Sequence, residues 1–466
     1  MTDTESRAEA LVLYGITGDL ARRMLLPALY RMVEQDVLDE PVIGVTRGDW
    51  TPERLHRHAH ESIAAAGPVD EEVFSRLADL LKVASVDYDD STTYARIVEQ
   101  APGSEHFAHY LAIPPAFFVS VAKGLAEAGL NENARFIVEK PFGHDLASAR
   151  ALQTELTRYF PEERIRRVDH FLGKDAVENL LVFRFANPIM NAVLDRAHVR
   201  GVQITMAEDL DVADRGSFYD SVGALRDVVQ NHLFQVLAYF IMEAPRSGGT
   251  QDVLDEKART LRAVRAVAPE DYVRGQYAGY RETEGVAPDS TTETYAALRV
   301  HVDTERWSSV PFSIRAGKNL AAHSLELIVE LDRPPARLYR ARGAEDPAPN
   351  LIRFRLNPRP GVTLDLLAEQ AGTGVGRVSA RLDLSPLSGE DVHAYVRILS
   401  GAITGDPRHF ARMDVVEEFW RIVDGILAPA TAPLPYRPGT WGPAEADALA
   451  TGGRWLPLEN APAEPS

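Results

Sequence analysis

Short continuous apolar runs punctuate residues 1–170: Leu11-Val12-Leu13-Tyr14, Val42-Ile43-Gly44-Val45, Tyr110-Leu111-Ala112-Ile113 and Arg135–Glu139, which reads RFIVE. Stretches of ~25–65 helix-compatible residues separate them, the pattern of buried parallel strands joined by crossover helices. The spacing therefore predicts a doubly wound parallel sheet. Beyond residue 171 the period changes. Val202, Ile204 and Met206 alternate with Gln203 and Thr205, and Leu325, Leu327, Val329 and Leu331 alternate with mostly polar neighbours. Ile352, Phe354 and Leu356 interleave with arginines, and Val378, Ala380, Leu382 and Leu384 with Arg377, Ser379, Arg381 and Asp383. Period-2 patterning predicts strands with one buried face and one more polar face, mostly antiparallel, and a sheet of that kind suggests a subunit partner. Between Val222 and Met242, Leu225, Val228, Val229, His232, Val236, Tyr239 and Phe240 recur at spacings of three and four, which predicts a long helix. The fold class is an α/β doubly wound domain followed by an α+β domain with a large, mostly antiparallel sheet.

Composition narrows the class. The 466 residues are about three ~150-residue domains' worth of chain, with 45% hydrophobic and 25% charged residues, an ordinary balance for a protein with a sizeable core. Fifty Lys and Arg against 68 Asp and Glu leave a formal charge of −18, which argues against nucleic-acid and anionic-membrane binding. Any phosphorylated ligand is then held by a local cluster of cations. There is no cysteine, so disulfides, thiolate metal sites and thiol nucleophiles are excluded. The start MTDTESRAEA lacks a basic segment followed by an apolar one, and no apolar run reaches the ~18 residues of a membrane span, so a cytoplasmic protein is expected. The polar residues 1–8 and the Pro-, Glu- and Ala-rich 456–466 are expected to be loose ends.

The first predicted strand ends in YGITGDLARR, with Gly15 and Gly18 at a strand-to-helix turn and Ala21 small enough for close helix packing. This is a G-x-x-G-x-x-A variant of the dinucleotide fingerprint, although Gly-rich turns also follow strands without any nucleotide. The second strand runs into Thr46-Arg47-Gly48. Arg47 there is either a solvated loop residue or a guanidinium placed for a 2′-phosphate. In EKPFG, Lys140 precedes a proline at the carboxyl end of a strand, where open α/β sheets bind ligands and where surface lysines also sit. In RRVDHFLGKD, Asp169 and His170 are adjacent, and His170 and Lys174 share a face if the segment is helical. With Arg164, Arg166 and Arg167, that face is either an anion site or a solvated basic edge. His232, in LRDVVQNHLFQ, is either a satisfied core residue or a base tuned by Asp227, Asn231 and Glu208. Arg315 and Lys318, in VPFSIRAGKN, form a second possible cation site. No metal constellation is read: there is no HExxH, and His56, His58 and His60 are taken as a solvated helix edge.

These segments occur together and in this order in one family. The chain resembles glucose-6-phosphate 1-dehydrogenase through GITGDLARRMLLPALYRM (15–32), FIVEKPFG (136–143), RRVDHFLGK (166–174), the block 204–235 and VPFSIRAGK (310–318), with weaker echoes at 410–423 and 440–443. The resemblance implies a Rossmann domain over 1–170 that binds NADP, with NAD as a possible alternative, and a β+α substrate and oligomerisation domain over 171–466. It implies oxidation of β-D-glucose 6-phosphate at C1 to the 1,5-lactone, the first step of the oxidative pentose phosphate pathway. His232 takes the role of base and Asp169 of its supporting acid. His170 and Lys174 take the sugar phosphate, Lys140 bridges sugar and cofactor, and Glu208, Asp227 and Lys318 take the sugar hydroxyls or assist the site electrostatically. Gly15, Ile16, Thr17, Gly18, Asp19 and Leu20 cradle the pyrophosphate, with Arg47 on the 2′-phosphate. A homodimer or homotetramer is implied as well. Phe171 stands where many members carry tyrosine, and His323 where some carry a basic residue, which bears on affinity and sugar preference. The alternatives are a C1 dehydrogenase of a related hexose 6-phosphate, a sugar or inositol oxidoreductase with a Glu-Lys-Pro motif, and a catalytically silent sugar-phosphate-binding regulator.

Overall fold

The structure, a computed structural model, describes residues 6–334, 348–370, 374–385, 391–428 and 431–459. The chain divides into two compact units, residues 1–174 with 389–417, and residues 175–388 with 418–466.

In the first unit the described residues form a seven-stranded sheet. Its strands are β1 (Ala10–Tyr14), β2 (Val42–Thr46), β3 (Leu81–Ser85), β4 (Phe107–Leu111), β5 (Arg135–Glu139) and β6 (Ile165–Val168). They lie in the order 6-5-4-1-2-3, all parallel, with the two-residue strand Phe410–Ala411 antiparallel on β6. This is the Rossmann order, with its switch point between β1 and β4. Alternation along β1 sends Leu11 and Leu13 into one core and Ala10, Val12 and Tyr14 into the other. Both faces are therefore covered, which is why the strand reads as one continuous apolar run.

The apolar runs locate β1, β2 and β5. The third run sits a few residues early in the structure, since β4 ends at Leu111 and Ala112-Ile113 begin the loop after it. Two strands carry no such run. β3 follows the helix Glu71–Leu80 without a break, and β6 is IRRV, whose arginines are buried through pairing.

In the second unit the described residues form a nine-stranded sheet, mostly antiparallel. It comprises β7 (Val199–Ala207), β8 (Tyr272–Tyr277), β9 (Tyr295–Val300), β10 (Phe312–Gly317), β11 (Ser324–Leu331), β12 (Leu351–Asn357), β13 (Gly361–Gln370), β14 (Gly374–Asp383) and the short strand Leu434–Tyr436. The order is 14-13-12-11-7-10-9-8 and then Leu434–Tyr436. β7 and β10 are parallel neighbours at its centre.

The expected polar face is itself largely buried. Gln203, Thr205, Glu326 and Arg353 are all buried, and Arg353 bridges Glu326 and Asp365 at 3.1 and 3.0 Å. The C-terminal segment covers part of this face. Gln203 bonds to the Arg454 carbonyl and the Leu456 N–H, and Glu459 pairs with Arg355 at 3.1 Å. The described parts of the expected loose ends are thus held: Ala8 is buried and its N–H donates to Ile403 O, while Leu456 and Leu458 are buried. Residues 1–5 and 460–466 lie outside the described residues. Leu366, Val378 and Leu382 on β13 and β14 are exposed. Among the described residues no helix is long and apolar enough to cross a membrane.

The sharpest steric constraint lies at the switch point. Gly15 has φ +80°, and a Cβ there would sit 2.3 Å from the Ala112 carbonyl oxygen, just past β4. Gly18 has more room, its nearest obstacle being the Gly15 oxygen at 3.1 Å. Gly15→Ala is therefore expected to cost about 1–3 kcal/mol or more, and Gly18→Ala distinctly less. Urea unfolding midpoints of the two variants check this, and equal losses would contradict it.

Candidate active site

In the first unit the candidate residues collect at the carboxyl ends of parallel strands. The turn after β1 closes with the Gly18 N–H on Gly15 O at 2.9 Å, and Asp19 and Leu20 open the helix that continues through a π-helical stretch, Ala21–Leu25. Ala21 is fully buried, as its small size suggests. Ile16 is tucked against β2, where a Cβ on Gly44 would meet its side chain at 2.8 Å. A backbone this close to its neighbours offers a cradle that side chains cannot fill, which fits a dinucleotide pyrophosphate.

Arg47 follows β2 with its guanidinium 4.6 Å from the Tyr88 ring and 4.1 Å from the Phe117 ring. The two rings meet edge-on and hold an exposed cation in place, the setting a 2′-phosphate ligand needs. The nearby histidines are not a solvated edge. His58 stacks edge-on against Trp50, and burial holds its pKa below the ordinary imidazole value. His56 reaches the Leu81 carbonyl at 3.4 Å and His60 pairs with Glu71 at 3.0 Å.

Lys140 follows β5 and is joined to Pro141 by a cis peptide bond. Asp169, buried, follows β6 and caps the next turn by accepting the Phe171 N–H at 3.0 Å. That turn, His170–Gly173, is a single 3₁₀ turn with Lys174 in extended conformation after it, so His170 and Lys174 do not share an α-helical face. Aromatic packing orders them instead. The His170 ring stacks on Tyr395, centroids 6.2 Å apart, and the Lys174 ammonium lies 4.7 Å from the Phe171 ring. Phe171 is buried beneath that ammonium. A Cβ on Gly173 would lie 2.6 Å from Ala394 O, so the turn is pressed against the helix Asp391–Thr404. Arg166 and Arg167 do not add to an anion face. Both are buried in β6, Arg167 bound by Glu162 and Gln153 and Arg166 donating to the Glu163 carbonyl.

In the second unit, the parallel pairing of β7 and β10 aligns Ala207 with Gly317, so Glu208 and Lys318 emerge side by side. They form a 2.6 Å ion pair, and the Lys318 ammonium stands 5.7 Å from the Tyr219 ring. Arg315 behaves differently. It is buried between Trp441 and Trp455, at 4.8 and 4.4 Å, and donates to Thr205 Oγ1, so it anchors the C-terminal segment and is no part of a cation site.

The predicted long helix is interrupted. Gly223 adopts φ +71°, Leu225–Leu233 is π-helical, and an α-helix resumes at Phe234–Ile241. In an α-helix, residues five apart lie ~140° around the axis from each other. The i→i+5 winding instead stacks Asp227 and buried His232 on one side. Asn231, expected beside them, spends its side chain on the widened backbone. Its Nδ2 donates to Arg226 O and its Oδ1 accepts the His232 N–H.

Two carboxyls went unread in the sequence. Glu293 is buried against Gly223, takes the Leu225 N–H at 3.1 Å through Oε1 and the Ala224 N–H through its own carbonyl, and so starts the π-helical turns. Burial raises its pKa. No pattern in TTETY marks it, because its partners are some 70 residues earlier. Glu139 accepts the Tyr110 hydroxyl at 2.6 Å, and loss of solvent around the carboxyl raises its pKa to about 7. An acid ending an apolar strand is the signal that would have found it.

Two family profiles match the chain: "Glucose-6-phosphate dehydrogenase, NAD binding domain" over residues 12–179 and "Glucose-6-phosphate dehydrogenase, C-terminal domain" over residues 181–455. The chain is 44% identical over 459 residues to glucose-6-phosphate 1-dehydrogenase 1 of Mycobacterium tuberculosis, covering 97% of each. It superposes on the crystal structure of glucose-6-phosphate 1-dehydrogenase from Mycobacterium avium with TM-score 0.89 at 45% identity, over 97% of this chain and 100% of that one. A glucose-6-phosphate dehydrogenase in complex with its substrate glucose-6-phosphate matches with TM-score 0.88 at 29% identity, over 98% and 100%.

Glu293→Ala strands the Leu225 N–H in a buried place and is expected to cost about 1–3 kcal/mol of stability. Glu293→Gln, which keeps an acceptor oxygen, should retain most of it. Chemical denaturation of both variants checks this, and a loss in Gln as large as in Ala would contradict the capping role.

Proposed function

The chain belongs to the glucose-6-phosphate dehydrogenase family, and from that premise we propose that it oxidises β-D-glucose 6-phosphate at C1 to 6-phospho-D-glucono-1,5-lactone with NADP, the first step of the oxidative pentose phosphate pathway. The observation that carries this reading is that the family match runs through both units, so the cofactor half and the sugar half are both present. NADP, when bound, supplies the hydride acceptor. Every other requirement falls on this chain's own residues.

His232 takes the proton of the C1 hydroxyl, with Asp169 kept in the role of supporting acid that the family pattern gives it. Hydride leaves C1 more easily as that proton leaves, and a positioned base is worth ~10²–10⁴ in rate. His170 and Lys174 hold the 6-phosphate and so fix the sugar from its far end, which lowers the entropic cost of alignment. Lys140 bridges sugar and cofactor, and Glu208, Asp227 and Lys318 meet the sugar hydroxyls. Gly15, Ile16, Thr17, Gly18, Asp19 and Leu20 cradle the pyrophosphate, and Arg47 takes the 2′-phosphate. We assign cofactor binding to residues 1–170 and sugar binding and oligomerisation to 171–466, in a cytoplasmic homodimer or homotetramer.

Nicotinamide absorbance with NADP or NAD and a panel of glucose, galactose and glucosamine 6-phosphates tests the activity. Glucose 6-phosphate with NADP is expected to give the highest kcat/KM. His232→Asn should lower kcat by ~10²–10⁴ with KM little changed, and a wild-type rate would remove the base assignment. Arg47→Ala should cut the NADP-to-NAD preference by roughly 10- to 100-fold, the worth of a charge-assisted bond. A constant ratio would place cofactor choice elsewhere.

A further inference from the structure

The carboxyl ends of β4, β5 and β6 carry one acid that the proposed chemistry leaves without a role. Glu139 is the last residue of β5, half-buried, and immediately precedes Lys140. The parallel register sets Glu139 opposite Val168, so Asp169 is the next residue beyond its strand partner. From β4, which lies on the other side of β5, Tyr110 donates its hydroxyl to Glu139 Oε1 at 2.6 Å. The groups facing the carboxyl are thus Tyr110 from β4, Lys140 from its own strand end and Asp169 from the end of β6. Tyr110 is fully buried, with Tyr395 electrostatically near it from the helix Asp391–Thr404.

We propose that Glu139 is a positioning residue whose protonation state sets the charge balance between Lys140 and Asp169. This rests on the reading of those two residues as part of the dehydrogenase site. With the carboxyl protonated, Lys140 stands against the single negative charge of Asp169. With it ionised, a second negative charge competes for the ammonium and opposes the Asp169 charge. The carboxyl has the environment for such a change near neutrality. Lost hydration raises its pKa to about 7, the Tyr110 hydroxyl and Lys140 pull it down, and Asp169 pushes it further up.

The sign follows from linkage. A carboxyl whose folded pKa is raised contributes stability that is present below its unfolded pKa and lost as pH rises through the folded value. Wild-type protein is therefore expected to lose melting temperature relative to Glu139→Gln as the pH is taken from about 5 to about 8. Tyr110→Phe removes the bond that steadies the charged form, so it should move this loss to higher pH. These two arms need no ligand and no activity. In the assay with glucose 6-phosphate and NADP, the wild-type kcat/KM profile should show an inflection near neutral pH. Glu139→Gln should move that inflection, to which the base His232 also contributes, and Tyr110→Phe should shift it upward. A wild-type-minus-Gln stability difference that is flat with pH overturns the proposal, as does an inflection unmoved in both variants. If the protein turned over no sugar phosphate, the functional reading would fail, while the stability arms would still decide whether Glu139 titrates.

Discussion

Parallel strand pairing is the constraint on which the candidate site depends. Parallel strands all end on the same side of a sheet, so whatever follows their last residues is gathered on one edge without further design. In the first unit this edge collects the Gly15 turn, Arg47, Lys140 and Asp169 from β1, β2, β5 and β6. The second unit is mostly antiparallel, where successive strand ends alternate sides. The parallel pair at its centre, β7 and β10, sends Glu208 and Lys318 out together. The same hydrogen-bonding rule thus supplies adjacent functional groups in two differently built sheets.

A chain with a net charge of −18 must hold any candidate phosphate-binding cation against its own field. The structure sets two candidates for that role, Arg47 and Lys174, on aromatic faces. Arg47 rests on Tyr88 and Phe117, and Lys174 on Phe171. A ring face attracts a cation and fixes its position without cancelling its charge. Phe171 gains a reason of its own here, since the phenyl ring supports the ammonium whether or not a hydroxyl is present. The arginines read as extra charge in β6 take the opposite course: they pair with Glu162 and with backbone, and serve the strand.

Much of this was legible in the residues. Continuous apolar runs located strands buried on both faces, and the alternating segments located β7, β11, β12 and β14. What was not legible depends on partners distant in sequence. IRRV does not look like a buried strand until Glu162 and Gln153 meet Arg167 and the Glu163 carbonyl meets Arg166. The alternating strands looked half-exposed because the segment that covers their polar side, Arg454 to Glu459, lies at the far end of the chain. Arg315 looked like a site cation because neither Trp441 nor Trp455 is near it in sequence. The π-helical turns were invisible for another reason. Apolar residues at spacings of three and four fit an α-helix, and the register change is imposed by Glu293 and by the side chain of Asn231.

Glu139 and Glu293 show how one structural choice has two effects. Each carboxyl lies where a neighbouring element must be held: Glu293 satisfies the N–H groups at the start of the turns bearing Asp227 and His232, and Glu139 receives Tyr110 at the strand edge bearing Lys140. Each acceptor is effective because water is excluded around it, and exclusion of water disfavours its charged form. A strong local hydrogen bond and a raised pKa therefore have a common cause. Where such a carboxyl adjoins backbone, as Glu293 does, the consequence is structural. Where it adjoins a lysine and an aspartate that are candidates for chemistry, the same desolvation makes the site's charge depend on pH.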